Sequence, residues 1–171
     1  MHDNSGVLDI LYFSYLESRI GYIIIAASDQ YVSMVRFSDE RPDGGSSNEI
    51  SRRCARQLGE YFSGERRVFD VPVQSNGTLF QVSVWEELMR IPFGQQVTYS
   101  ELALRLGNRN MVRAAGMACG RNRIPILVPC LRVVGKGGKL SGYSGGLWRK
   151  DWLIKHEMRL AGVIHQLDLF F

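Results

Sequence analysis

The chain predicts an α+β fold in two parts, a small α/β-like N-terminal domain over residues 1–77 and a helix-rich domain over residues 78–171. Three observations predict it. β-Forming residues crowd into three short runs before residue 38, which read as strands of an antiparallel meander. Apolar residues then recur at helical spacing in separate later segments. Between the two regimes, Gln74 to Thr78 is a short polar linker.

Val7 to Glu17, Tyr22 to Ala27 and Tyr31 to Phe37 are the three strands, joined by short polar connections. Ser38 to Asn48, with Pro42, Gly44 and Gly45, reads as an exposed loop. Ile50, Cys54, Leu58 and Tyr61 place one apolar face on a helix over Glu49 to Phe62, and Gly64 stops it. Cys54 is expected in the core. Val68 to Val73 reads as a further strand.

In the second part, Thr78 caps a helix carrying Phe80, Val84, Trp85 and Leu88, which Pro92-Phe93-Gly94 ends. Tyr99 to Leu106 and Met111 to Arg121 are two more helices around the turn Gly107-Asn108, the outline of a helix-turn-helix. Any pair of antiparallel helices has that outline. The later helix carries Ala114, Ala115, Gly116, Ala118 and Gly120, and glycine inside a helix costs stability that a close backbone approach must offset. A neighbouring helix or a nucleic acid would supply that approach, and Arg113, Arg121 and Arg123 favour the nucleic acid.

Ile124 to Val134 reads as a strand that sets Cys130 among β-forming residues, with Pro129 before it fixing the local backbone. A thiol so held is aimed, although a buried free cysteine also reads as core. Gly135 to Gly146 carries six glycines in twelve residues with Lys136, Lys139, Tyr143 and Ser144. It lacks the spacing of a phosphate-binding P-loop and reads as a wing over a pocket. Leu147 to Leu160 returns to helix, with Trp148, Trp152, Leu153 and Met158 available for core.

Bulk properties bound the function. The 171 residues carry a net charge of +4 and a pI near 9.1, which permits nucleic-acid binding without requiring it. Three cysteines, Cys54, Cys119 and Cys130, cannot pair evenly and match no zinc spacing. No metal and no cofactor is expected. The absence of a long apolar run or a secretory leader points away from a membrane and to an intracellular location, cytoplasmic or nuclear.

From about Gly77 to Glu157 the chain resembles the O6-alkylguanine-DNA alkyltransferases, the methylated-DNA–protein cysteine methyltransferases. The resemblance runs in one order through Phe80-Gln81, Val84-Trp85, Ile91-Pro92, Gly94, Thr98-Tyr99, Arg113-Ala114, Asn122, Ile124-Pro125-Ile126, Pro129-Cys130, Arg132-Val133-Val134, Gly142 to Gly146 and His156-Glu157. It implies a winged-helix-like second domain and a monomer that binds double-stranded DNA containing alkylated bases through the minor groove. Ala114 and Gly116 would permit close approach of the recognition helix. Arg113 would replace a flipped nucleotide in the stack while Tyr99 crowds the adjacent phosphate.

The flipped guanine would then be read by Tyr99 and by backbone groups of Cys130 and Val133. Ser144 would donate to O6, with Pro125 and Tyr143 around the alkyl group. Asn122 corresponds to a hinge asparagine, followed here by Arg123 where the family usually has proline. Cys130 would accept the alkyl group irreversibly, activated in the family through a histidine and a water backed by the glutamate matching Glu157. That histidine falls at position 131, and this chain has Leu131.

Loss of a general base costs roughly a hundredfold to ten-thousandfold in rate, so the resemblance implies a slowed, single-turnover transfer from O6-alkylguanine, with O4-alkylthymine a further candidate. The alternative is a non-enzymatic, alkyltransferase-like protein that flips and flags the lesion. A cysteine hydrolase served by His156 or His165 is a third, weaker reading.

Overall fold

A computed structural model describes residues 10–163 of the chain. The expected strand residues Val7 to Asp9, together with His2 and His165, lie outside them. Strands β1 (Tyr12–Ser18), β2 (Gly21–Ala27) and β3 (Val32–Ser38) form an antiparallel meander in that order. Tyr15 pairs with Ile24 and Ile24 with Arg36, while Ile25 pairs with Ser14 and Val35. This register puts Ile23, Ile25 and Val35 on the buried side.

Helix α1 (Glu49–Ser63) packs across β1 and β2. Its start is fixed by a capping box between Asn48 and Ser51, and its end by Gly64 at φ 87°. Only glycine adopts that conformation without strain. Cys54, Leu58 and Tyr61 are fully buried on its inner face. Burying three such side chains contributes on the order of 5–8 kcal/mol before entropy is subtracted.

Val68 to Val73 does not form the expected strand. Only Val73 bridges β3, through Val32 N donating to Pro72 O and Gln74 N to Val32 O. Pro72 has no N–H to extend a ladder, and Val68 is 76% exposed.

The second domain begins at α2 (Leu79–Met89), capped by a Thr78–Gln81 box. Then come β4 (Val97–Thr98), α3 (Tyr99–Arg105), a 3₁₀ turn at Arg109–Met111 and α4 (Val112–Gly120). The helix expected from Met111 therefore starts as 3₁₀ and ends one residue early. Trp85 Nε1 donates to Ala118 O at 2.9 Å, pinning α4 to α2.

Beyond α4 the expected cysteine strand is mostly turn. Pro125 and Val128 form an isolated bridge, Cys130–Arg132 is a 3₁₀ turn, and β5 (Val133–Val134) pairs in parallel with β4. The wing is a further 3₁₀ turn at Lys136–Gly138 closed by Gly135 N to Lys139 O. Helix α5 (Leu147–Leu160) returns across the acceptor turn to the N-terminal domain. Trp148, expected as a core residue, is 54% exposed and lies under the Arg149 guanidinium.

Two clamps join the domains. Arg149 donates to Ile20 O and Gly145 O and pairs with Asp39. Glu157 is held by Tyr61 of α1 and by Arg132. Through Arg132, the second clamp also holds the turn that carries Cys130.

Candidate acceptor site

The turn that carries Cys130 is built by its own backbone. Val128 N donates to Ile124 O, and Cys130 N donates to Val128 O at 2.8 Å. Ile126 sits at φ 74°, a conformation that costs a branched residue of order 1–3 kcal/mol. Fully buried neighbours Ile124 and Leu131 hold that strain in place.

Asn122 is the hub of the turn. Its Nδ2 donates to Val128 O at 2.7 Å and to Cys130 Sγ at 3.1 Å, and its Oδ1 accepts from Ile124 N at 3.0 Å. One amide therefore fixes the loop and the sulfur together. Cys130 is 5% exposed. Burial raises its pKa above the ordinary value, while the Asn122 hydrogen bond and the Lys150 charge pull it back down. Cys54 and Cys119, which lack such a hydrogen bond from an amide side chain, are pushed up to about 12 by burial.

Around the sulfur, Val133 is buried and its carbonyl accepts from Lys150 Nζ at 2.6 Å. Pro125 is buried in the same turn. Tyr143 packs against Phe37 with ring centres 6.0 Å apart, and its hydroxyl is buried without a partner. Tyr99 opens α3, and its hydroxyl donates to Ser141 O at 3.2 Å, drawing the wing toward the helix. Ser144 is exposed on that wing.

Arg113 and Ala114 are exposed on α4, Gly116 is half-buried, and Ala115 and Ala118 face inward. A Cβ on Gly116 would meet the Tyr99 ring at an ordinary 3.7 Å, and one on Gly120 would meet nothing. The chain's own packing does not require these glycines.

Leu131 is 1% exposed and borders a tight crevice with Gly94, Ile154, Glu157 and Met158. Glu157 does not bond to the thiol. Its oxygens accept from Arg132 Nε at 2.9 Å and Nη2 at 3.0 Å, Tyr61 Oη at 2.9 Å and Gly94 N at 3.1 Å. Four donors fill a carboxylate's capacity. His156 is likewise engaged elsewhere, with Nε2 bonded to Tyr61 O at 2.9 Å and its ring stacked on Trp152. That placement removes the structural basis for a His156-served hydrolase.

A buried group that sequence reasoning missed is Lys150, whose side chain is fully buried and ties Val133 O to Ser141 O. An amphipathic reading of α5 gives no sign of it, because lysine on a helix ordinarily marks the wet face. Among the described residues no cluster of three metal-ligating side chains occurs.

Fold and site together define a two-domain α+β protein whose winged-helix-like second domain is organised around one buried, amide-held cysteine. Comparison with known proteins gives the family. The ribonuclease-like domain of 6-O-methylguanine DNA methyltransferase matches residues 11–75, and the DNA-binding domain of the same family matches residues 79–159. A methylated-DNA–protein-cysteine methyltransferase of Methanosarcina acetivorans is 44% identical over 153 residues, covering 86% of this chain and 98% of the relative.

The constitutive enzyme of Bacillus subtilis is 36% identical over 143 residues, with 78% and 87% covered. The crystal structure of Mycobacterium tuberculosis O6-methylguanine methyltransferase superposes with a TM-score of 0.79 at 34% identity, covering 95% of this chain and all of that one. A complex of the Mycobacterium tuberculosis protein with DNA gives 0.78 at 35% identity, with 86% and 93% covered. The chain belongs to the 6-O-methylguanine DNA methyltransferase family.

Proposed function

We propose that this protein repairs double-stranded DNA by single-turnover transfer of an alkyl group from O6-alkylguanine to Cys130 Sγ. The thiol loses its proton, an S–C bond forms, the C–O6 bond breaks and guanine is restored as leaving group. The observation that carries this reading is the Asn122–Cys130 hydrogen bond, which aims a buried sulfur inside a strained, fully packed turn. Orientation of this kind supplies a large part of the barrier lowering in a displacement reaction.

DNA is engaged through α4 in the minor groove, where Ala114 and Gly116 permit close approach and Arg113 fills the gap left by the flipped base. Tyr99, Val133, Pro125, Tyr143 and Ser144 form the pocket for that base. The protein acts as an intracellular monomer, cytoplasmic or nuclear, without cofactor or metal. Leu131 stands where the family resemblance implies a histidine, and transfer is correspondingly slow.

Incubation with a duplex containing one O6-methylguanine, followed by peptide mass analysis, tests the reading. The Cys130 peptide is expected to gain one CH₂ and to keep it. No gain after overnight incubation overturns the transfer, and tight retention of the lesion duplex in that case establishes the non-enzymatic, lesion-flagging alternative.

A further inference from the structure

Val35 N donates to Arg123 O at 2.9 Å, which ties β3 of the first domain to the chain just before the acceptor turn. Arg36 and Arg123 therefore stand at neighbouring backbone positions, and both side chains are exposed. Beside them lies an interdomain groove of about 220 Å³, lined also by Phe37, Asn122, Ser144 and Arg149. Three arginines and no carboxylate line it. Arg149 is committed to Ile20 O, Gly145 O and Asp39. Arg36 and Arg123 make no ion pair or side-chain hydrogen bond among the described residues. Like charges held together without a counter-ion repel one another, and a guanidinium grips a carboxylate with two N–H groups at once.

The groove adjoins the acceptor site along two walls. Asn122 lines it and also donates to Cys130 Sγ at 3.1 Å. Phe37 lines it and packs on Tyr143 with ring centres 6.0 Å apart, so an aromatic surface runs from Tyr143 into the groove. In the transfer proposed above, the attacked carbon lies against Sγ, and an adduct longer than methyl has to extend away from it. The turn itself is closed, with Ile124, Pro125 and Leu131 buried. Asn122 shares the groove with the sulfur, and the groove is open.

We propose that this groove extends the acceptor pocket to hold the far end of long O6-alkyl adducts, and that Arg36 and Arg123 favour adducts ending in a carboxylate. The inference rests on Cys130 being the alkyl acceptor. Arg123 stands where the family resemblance implies proline, so the selectivity belongs to this chain. The bond changes are those of methyl transfer. The S–C bond forms, the C–O6 bond breaks, and guanine leaves with the electron pair and takes up the proton that the thiol lost. The carboxyalkyl chain stays on sulfur, with Phe37 against its methylenes and its carboxylate at the two guanidiniums. Both arginines are exposed, so solvent screening limits the gain.

The test compares two duplexes that differ in one group, a carboxylate-bearing O6-carboxybutylguanine and its neutral isostere, O6-carbamoylbutylguanine. Transfer is read as mass gain on the Cys130 peptide in single turnover, and affinity by fluorescence anisotropy, with an O6-methylguanine duplex alongside. The wild type is expected to favour the carboxylate about threefold to twentyfold at low ionic strength, and the ratio should shrink as salt is added. Arg36→Gln and Arg123→Gln should each lower the ratio. The double glutamine variant should bring it to about one, and glutamate at both positions should invert it.

A wild-type ratio near one, a ratio that the double glutamine variant leaves unchanged, or exclusion of both long adducts overturns the proposal. Equal losses on both duplexes in the variants, the mark of a contact to DNA phosphate, overturn it as well. Transfer from O6-methylguanine without any carboxylate preference keeps the repair reaction and sinks the groove. A carboxylate preference in affinity, with no transfer from any of the three duplexes, upholds the groove and sinks the repair reaction instead.

Discussion

Asn122 makes three hydrogen bonds from one buried amide, to Val128 O, Ile124 N and Cys130 Sγ. Replacing it by alanine leaves the buried Ile124 N–H unpaired, at about 1–3 kcal/mol, and leaves Val128 O with the Cys130 N–H alone. It also removes an interaction that lowers the Cys130 pKa. Asn122→Ala is therefore expected to lower the melting temperature by several degrees and to move Cys130 alkylation to higher pH, readable by thermal denaturation and by iodoacetamide kinetics. Leu131 presents the opposite trade. Its full burial stabilises the turn by about 2 kcal/mol, which a histidine forfeits in part. Leu131→His should raise the single-turnover transfer rate at neutral pH by tenfold or more, while urea denaturation reports a stability loss of about 1–3 kcal/mol. A rate no higher than the wild type's would mean that proton removal does not limit the reaction.

Helix α4 shows how an element's composition records what it meets. Its inward residues, Ala115 and Ala118, are buried, and Trp85 caps Ala118 O. Nothing in the chain requires glycine at position 116, where an added Cβ lies 3.7 Å from Tyr99. Gly116→Ala should stabilise the fold by about 0.5–1 kcal/mol through helix propensity and weaken duplex binding, measured side by side by calorimetry and fluorescence anisotropy. Unweakened binding would deny α4 its place against DNA. The strand expected at Val68 to Val73 and the strand expected around Cys130 show the limit of element-level reading. Short apolar runs look alike whether they end in a ladder, a bridge or a buried turn. In the first, Pro72 withholds a donor, and in the second, Asn122 takes the backbone partners a strand would need.

Across the whole molecule, Glu157 joins α5, the acceptor turn and α1 at a buried point. Its ion pair with Arg132 is 8% and 2% exposed at the two side chains. Breaking such a pair leaves a charge uncompensated and costs about 3–5 kcal/mol. Glu157→Gln should therefore lower the unfolding free energy, read by urea denaturation, by that amount and loosen both domains together. His156 sets the acid limit. Burial lowers its pKa below 6.5, its Nε2–H donates to Tyr61 O, and its Nδ1 is buried without a partner. A proton on Nδ1 finds no acceptor, so the unfolded chain binds protons first as pH falls. The contribution is present above about 6.5 and is lost as pH drops below it toward the depressed folded value. His156→Phe, which keeps the Trp152 stack, should flatten the fall in melting temperature between about pH 7 and 5.5.

By itself the sequence determined the order of elements, their caps, the small-residue face of α4 and the singular setting of Cys130. All of these depend on residues within a turn or two of one another. Tertiary structure alone decided the rest. Tyr61 and Glu157 stand 96 residues apart, and nothing local foretells that a tyrosine, an arginine and a backbone amide will fill the carboxylate. Lys150 reads as solvent-facing until Val133 O and Ser141 O close over it. Burial, and with it the protonation chemistry beside Cys130, is a property of what folds against a residue.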